Sequence, residues 1–169
     1  TDNDLANLEE TGYKKGVPMG GTLKKNKASQ KPPSFMIFAA HDPLSAKLDR
    51  VQVVKGWVDD QGKTHEKIYD AFWSPNRQIL DGKPEPLADQ VSRQTGNNVS
   101  NQGAATLSGV WTDPDFNPAQ TAFYYTRVLQ APTARHSLLD RIALGEENAE
   151  DYPDVIQERA YTSPIWYSP

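Results

Sequence analysis

What most constrains this chain is a succession of short apolar and aromatic runs, each of strand length and each closed by turn residues, with almost no helical periodicity between them. Residues 34–40 form a continuous apolar run behind Pro32-Pro33, the pattern of a buried strand, and His41-Asp42-Pro43 ends it. Residues 50–58 carry Val51, Val53, Val54 and Trp57, and residues 67–73 carry Ile68, Tyr69, Phe72 and Trp73. Asp59-Asp-Gln-Gly62 between them is turn chemistry, with Gly62 free to take a positive φ, so the pair predicts a β-hairpin. Residues 104–112, ending in Val110-Trp111, and residues 121–130, holding Phe123, Tyr124, Tyr125, Val128 and Leu129, predict two further strands. The aromatic stretch 160–167 predicts a last one, placed at a sheet edge because Pro164 has no N–H for a ladder. Helical spacing recurs only at Leu138, Leu139, Ile142 and Ala143, with Gly145 as a C-cap, and more weakly at Leu5 and Leu8. Helices that do not alternate with strands disfavour a parallel α/β sheet. The expectation is a mainly β fold, an antiparallel β-sandwich with long loops and one or two short helices.

A length of 169 residues suits one core. Residues 1–15 read as an N-terminal segment, partly disordered or a short helix, and residues 16–169 as a single β-sandwich domain. Within it, residues 74–103 are rich in Pro, Gly, Asn, Gln, Ser and Asp, a long polar excursion that marks a functional loop or the cover of a sheet edge. Six lysines and no acid lie between Lys14 and Lys31, yet Gly16-Val-Pro-Met-Gly-Gly21 has neither phosphate-loop nor dinucleotide-loop spacing, so this reads as a solvated connection. A net charge of −4 speaks against a nucleic-acid partner, and no apolar run approaches the ~18 residues of a membrane span. The absence of cysteine excludes disulfides, zinc–thiolate sites and thiol catalysis. Thr1 is not an initiator methionine and no export signal opens the chain, which predicts a missing leader or a missing N-terminal portion.

Candidate sites are sparse. His41, His65 and His136 are isolated, with no His-x-His or HExxH. His41-Asp42 follows a strand, where binding loops begin, although Asp-Pro is also ordinary turn initiation. An independent hydrolase using His41, Asp42 or His136 would need the fold to bring them together. Asp113, Asp115 and Asn117 have the opening spacing of a calcium loop, but Pro118 stands where glycine is needed and Tyr124 where glutamate is needed. A proline-stiffened turn competes with that metal reading. Glu66, Asp70, Asp140 and Glu158 could do acid–base work, but no spacing pairs them, so no catalytic residue is assigned. Asn98-Val-Ser100 fits a glycosylation sequon. Most aromatics fall on strands. Trp57, Trp73 and Trp166 could form a platform for carbohydrate or another polymer, while the competing and favoured reading puts large rings in the inter-sheet core.

Five segments share a further likeness: Gly16 to Gly21, Asp42 to Trp57, Val110 to Pro118 (Val-Trp-Thr-Asp-Pro-Asp-Phe-Asn-Pro), Ala122 to Val128, and Gln157 to Tyr167. Together, and in this order, they resemble the C-terminal part of the bacterial domain-of-unknown-function 3604 family. The resemblance implies a longer, exported parent, periplasmic or secreted. Its N-terminal portion would be similar to the polymerase-and-histidinol-phosphatase (PHP) class of metal-dependent phosphoesterases. In that class a His-x-His and further His, Glu and Asp residues hold the divalent metals. Nothing here matches that motif, so the resemblance places any metal in the parent and no cofactor in this chain. It implies an accessory β domain whose partners are the catalytic portion of the same protein and, in a homo-oligomer, neighbouring copies.

Overall fold

The computed structural model describes residues 7–24, 31–99, 101–146 and 152–169. Strands dominate. In chain order they are β1 (Thr22–Lys24), β2 (Ser34–Ala40), β3 (Leu48–Val58), β4 (Thr64–Trp73), β5 (Ile79–Leu80), β6 (Lys83–Pro84), β7 (Thr106–Thr112), β8 (Ala122–Gln130), β9 (Thr133–Ala134), β10 (Val155–Ile156), β11 (Arg159–Tyr161) and β12 (Ile165–Ser168). Among the described residues two helices accompany them, α1 (Leu8–Lys15) and α2 (His136–Leu144). The fold is mainly β and sandwich-like, with antiparallel pairing throughout except at one edge.

The main sheet runs β1-β12-β8-β3-β4, with β11 beside the C-terminal half of β8. The expected hairpin is β3–β4, closed at Gly62 with φ 77°. Asp59 accepts the backbone N–H groups of Gln61 and Lys63, so the turn donors are satisfied locally. A second layer is the antiparallel ribbon β2–β7, in full register from Ser34↔Thr112 to Ala40↔Thr106. Between the layers lies the core: Phe35, Ile37, Ala39 and Leu107 from the ribbon against Val51, Val53, Tyr124 and Tyr167 from the main sheet. Burying a side chain of this size is worth about 1.5–3 kcal/mol, which explains why the period-two pattern, rather than local propensity, sets the register.

Three expectations need correction. The 34–40 run is not buried throughout: Phe35, Ile37 and Ala39 face the core while Phe38 is 62% exposed, because a two-stranded ribbon has only one neighbouring layer. The 160–167 run is two strands, not one. Pro164 sits in the link between β11 and β12, where its missing N–H costs no ladder bond and its carbonyl accepts from Gly20. Nor is β12 an edge strand. β1, inside the stretch read as a basic loop, pairs with it in parallel through Thr22↔Trp166 and Lys24↔Ser168 and takes the edge position itself.

The N-terminal helix is observed over Leu8–Lys15, while residues 1–6 lie outside the described residues. The second helix ends at Gly145 in the left-handed conformation with φ 68°, as the C-cap reading requires. The polar excursion contains the small β5–β6 ribbon and a Val91↔Asn98 bridge. Its tip packs on α2, since a side chain at Gly96 would run into Leu139.

Candidate functional site

Two buried ionic networks have to be separated from any site. The first lies between the layers. Lys55 on β3 points inward and is 3% exposed, and its Nζ donates to Asp113 Oδ2 at 2.6 Å and to the Asp115 carbonyl at 2.8 Å. Tyr124 donates its hydroxyl to the same Asp113 oxygen at 2.7 Å, and Asp113 Oδ1 accepts the Asp115 N–H. Burial and the adjacent Asp113 carboxylate push the Tyr124 phenol far above the ordinary tyrosine range. Lys67 and Tyr69 on β4 both donate to Asp115, which is held below the usual carboxylate range mainly by Lys67. The second network surrounds Asp49, which is fully buried. It accepts from Arg77 and, at 3.0 Å, from Gln157 Nε2, and its carbonyl accepts the Ser74 N–H. Arg77 opens the polar excursion and Gln157 precedes β11, so Asp49 ties both connections to the start of β3.

These networks decide several sequence candidates. Asp113, Asp115 and Asn117 each have partners of their own. The first two are ion-paired with Lys55 and Lys67, and Asn117 caps the Ala119 N–H in a turn. Among the described residues no three His, Asp or Glu side chains are grouped to hold a metal ion. Asp42 caps the Leu44 N–H in an Asx turn. His41 donates its backbone N–H to the Ala105 carbonyl, and its buried Nδ1 has no hydrogen-bond partner among the described residues. His65 bonds Asp59 at 2.6 Å and stacks on Trp57, while His136 is exposed at the start of α2, far along the chain from both. Asn98 donates its side-chain amide to the Pro132 carbonyl, and Ser100 of the sequon lies outside the described residues.

The aromatic residues divide between two faces. Phe35, Trp111, Tyr124, Phe116 and Tyr167 pack in or against the core. The opposite face of the main sheet is not covered by the ribbon, and there period-two alternation lays out a grid. Its first row is Trp166–Phe123–Gly56–Glu66, its second Tyr125–Val54–Ile68, and its third Tyr161–Arg127–Gln52–Asp70. Phe123 lies down across the sheet over Gly56, where an added Cβ would be 2.3 Å from the ring. Tyr125 is parallel to it within 9°, with centroids 6.4 Å apart. Trp166 leans on Phe123 at 54° and Tyr161 on Tyr125 at 45°; they are 46% and 56% exposed. In the third row Gln52 donates to Asp70 at 2.8 Å and accepts from Arg127 Nε and Nη2 at 2.8 and 2.6 Å. Shallow cavities of about 420 Å³ sit at both ends, one beside Phe123 and Trp166 and the other beside Arg127 and Arg50.

Of the sequence-proposed platform, only Trp166 belongs to this row. Trp57 faces inward, although it borders the cavity beside Trp166, and Trp73 is at the far end of β4, 38% exposed. Sequence reading counts Tyr125 among the strand aromatics but misses Phe123, Arg127, Gln52 and Tyr161. The signal available was the alternation Phe123-x-Tyr125-x-Arg127, whose same-face members are aromatic and cationic where the other face carries Ala122 and Tyr124.

The structure thus defines a sandwich-like β protein with one aromatic sheet face uncovered. The family described as Protein of unknown function (DUF3604) matches residues 1–169, and the chain belongs to that family. Comparison with curated proteins found no match, and neither did comparison with solved structures. Among the described residues no helix is long and apolar enough to cross a membrane.

Proposed function

We propose that this chain is a non-catalytic accessory β domain of a larger, exported, hydrolase-like protein. In this reading it packs on a PHP-like catalytic barrel and shapes the mouth of its active site, or holds neighbouring copies together. The divalent metal belongs to the barrel and the setting is periplasmic or secreted. One observation carries the proposal: the buried ionisable groups Asp49, Lys55, Arg77 and Asp113 are all engaged in tying strands and loops to one another. A catalytic site needs the opposite, titratable groups left poised in a cleft. The contact surface is the polar excursion, which Arg77 anchors to the sheet through Asp49 and which long loops on a rigid scaffold commonly supply. The test is a comparison of metal-dependent phosphoesterase turnover by residues 1–169 and by a longer family protein that includes the metal-binding portion. The longer protein should turn over and residues 1–169 should not. Turnover by residues 1–169 with added divalent metal overturns the reading in favour of an independent hydrolase.

A second reading, a carbohydrate- or polymer-binding module, is favoured by a specific observation, the row of rings on the uncovered face. The excursion meets that face at the cavity beside Arg127, through Leu80 and Lys83 to Pro86, while Phe123 and Trp166 line the cavity at the other end, so the two readings are compatible.

A further inference from the structure

We propose that the uncovered face is a platform for an acidic glycan, a chain of pyranose rings bearing carboxylates of the uronate type. This rests on reading that face as a ligand surface. Phe123 and Tyr125 supply two nearly parallel rings, the first lying across the sheet over Gly56, and Trp166 and Tyr161 are tilted against them. A pyranose ring presents C–H groups on its flat faces and hydroxyls at its rim, so a floor of parallel aromatic rings takes successive sugars without needing a deep pocket. The floor exists because Gly56 has no side chain, which lets the Phe123 ring lie flat instead of standing out into solvent.

Arg127 sets the charge of the ligand. It is the next same-face residue after Tyr125 on β8 and pairs across to Tyr161, which puts it about 7 Å further along the row of rings. The only hydrogen-bond partner of its guanidinium among the described residues is the neutral Gln52 oxygen, and no carboxylate among those residues is paired with it. Asp70 fixes the Gln52 amide from the other side and is itself 3.6 Å from Arg50. The Asp70–Gln52–Arg127 relay thereby aligns a guanidinium with Nη1 left open at the end of an aromatic floor. A planar carboxylate is the group that matches such a fork. Glu66 stands in the row furthest from Arg127, and the cavity at the Arg127 end is lined by Arg50, Lys83 and Arg127 against the carboxylates of Asp70 and Glu85, a balance that favours an anion.

The experiment measures binding of residues 1–169 to polygalacturonate and alginate, and to a neutral β-glucan, by affinity electrophoresis and by Trp fluorescence. Binding to the acidic polymers, weakened by salt, is expected. Arg127→Gln should weaken it at least about tenfold and flatten the salt dependence. Tyr161→Ala and Trp166→Ala, at exposed positions, should weaken it with unchanged circular dichroism and melting. Equal binding of the neutral glucan overturns the acidic assignment but leaves the platform. Binding untouched by all three variants overturns the site. No binding of any polymer overturns both the inference and the ligand-surface reading on which it rests.

Discussion

Replacing Asp113 by asparagine tests the physical basis of the two-layer core. The D113N side chain is nearly isosteric and still accepts the Asp115 N–H, so the turn after β7 keeps its bond. What is lost is the charge opposite Lys55, which is 3% exposed and has only the Asp115 carbonyl as its other partner. Breaking one side of a buried pair leaves an uncompensated ion and costs about 3–5 kcal/mol. With the amide oxygen kept by the Asp115 N–H, the Nδ2 donor replaces the oxygen that accepted from Lys55 and Tyr124 and faces the ammonium, so the expected loss is at least about 3 kcal/mol. For a chain of this length that is a fall in melting temperature of about 6–12 °C. The second arm is Lys55→Met combined with Asp113→Asn. Methionine occupies the same channel beside Trp57 and Tyr124 without a charge to bury, so the double variant should recover to within about 1 kcal/mol of the parent. Urea unfolding followed by tryptophan fluorescence measures both, with equal m-values required for the comparison. A single variant within about 1 kcal/mol of the parent, or a double variant no better than the single, refutes the account of Lys55–Asp113 as a desolvated pair.

Gly56→Ala should cost about 1–3 kcal/mol, because the new methyl would sit 2.3 Å from the Phe123 ring and force it off the sheet; the same variant should blunt polysaccharide binding, which the affinity gel reads directly. The pH profile of stability should fall at both ends. Asp59, Asp89 and Asp115 are held below the usual carboxylate range by His65, Arg93 and Lys67 respectively, so their contribution is present above the unfolded-state value near 3.9 and is lost as pH falls through the lower folded values. Tyr124 and Tyr69 are pushed up by burial and by Asp113 and Asp115, so their contribution is full below about pH 10 and is lost above it. Phenolate absorbance for these two rings should therefore rise only with unfolding, and a free titration near pH 10 of all seven tyrosines in the native state contradicts the assignment.

The elements that could be read from sequence were those whose signal is local. β2 was expected at 34–40 and is found there, and the β3–β4 hairpin, β7 and β8 fall within a few residues of expectation, because turn chemistry and apolar alternation act over neighbouring residues. The Gly145 cap is local in the same way. β1 was missed because Thr22-Leu-Lys24 carries almost no apolar signal and is a strand only through its pairing with β12, more than 140 positions away. The split at Pro164 and the interior place of β12 follow from that same long-range pairing. Spacing likewise suggested a calcium opening at Asp113, Asp115 and Asn117, but what these side chains do is set by Lys55 and Lys67 arriving from other strands.

The amino-acid order alone determined that this chain would be mainly β, where most of its strands run, and which family it resembles, since alternation, turns and contiguous motifs are written in neighbouring residues. Tertiary structure alone decided which face of each strand is covered. It buried Tyr124 and left Tyr125 half-buried on the other face, engaged Lys55 with Asp113, and left Arg127 without a paired acid among the described residues. Those outcomes depend on which sheet lies opposite, and burial and ion pairing are set by neighbours in space that no local pattern specifies.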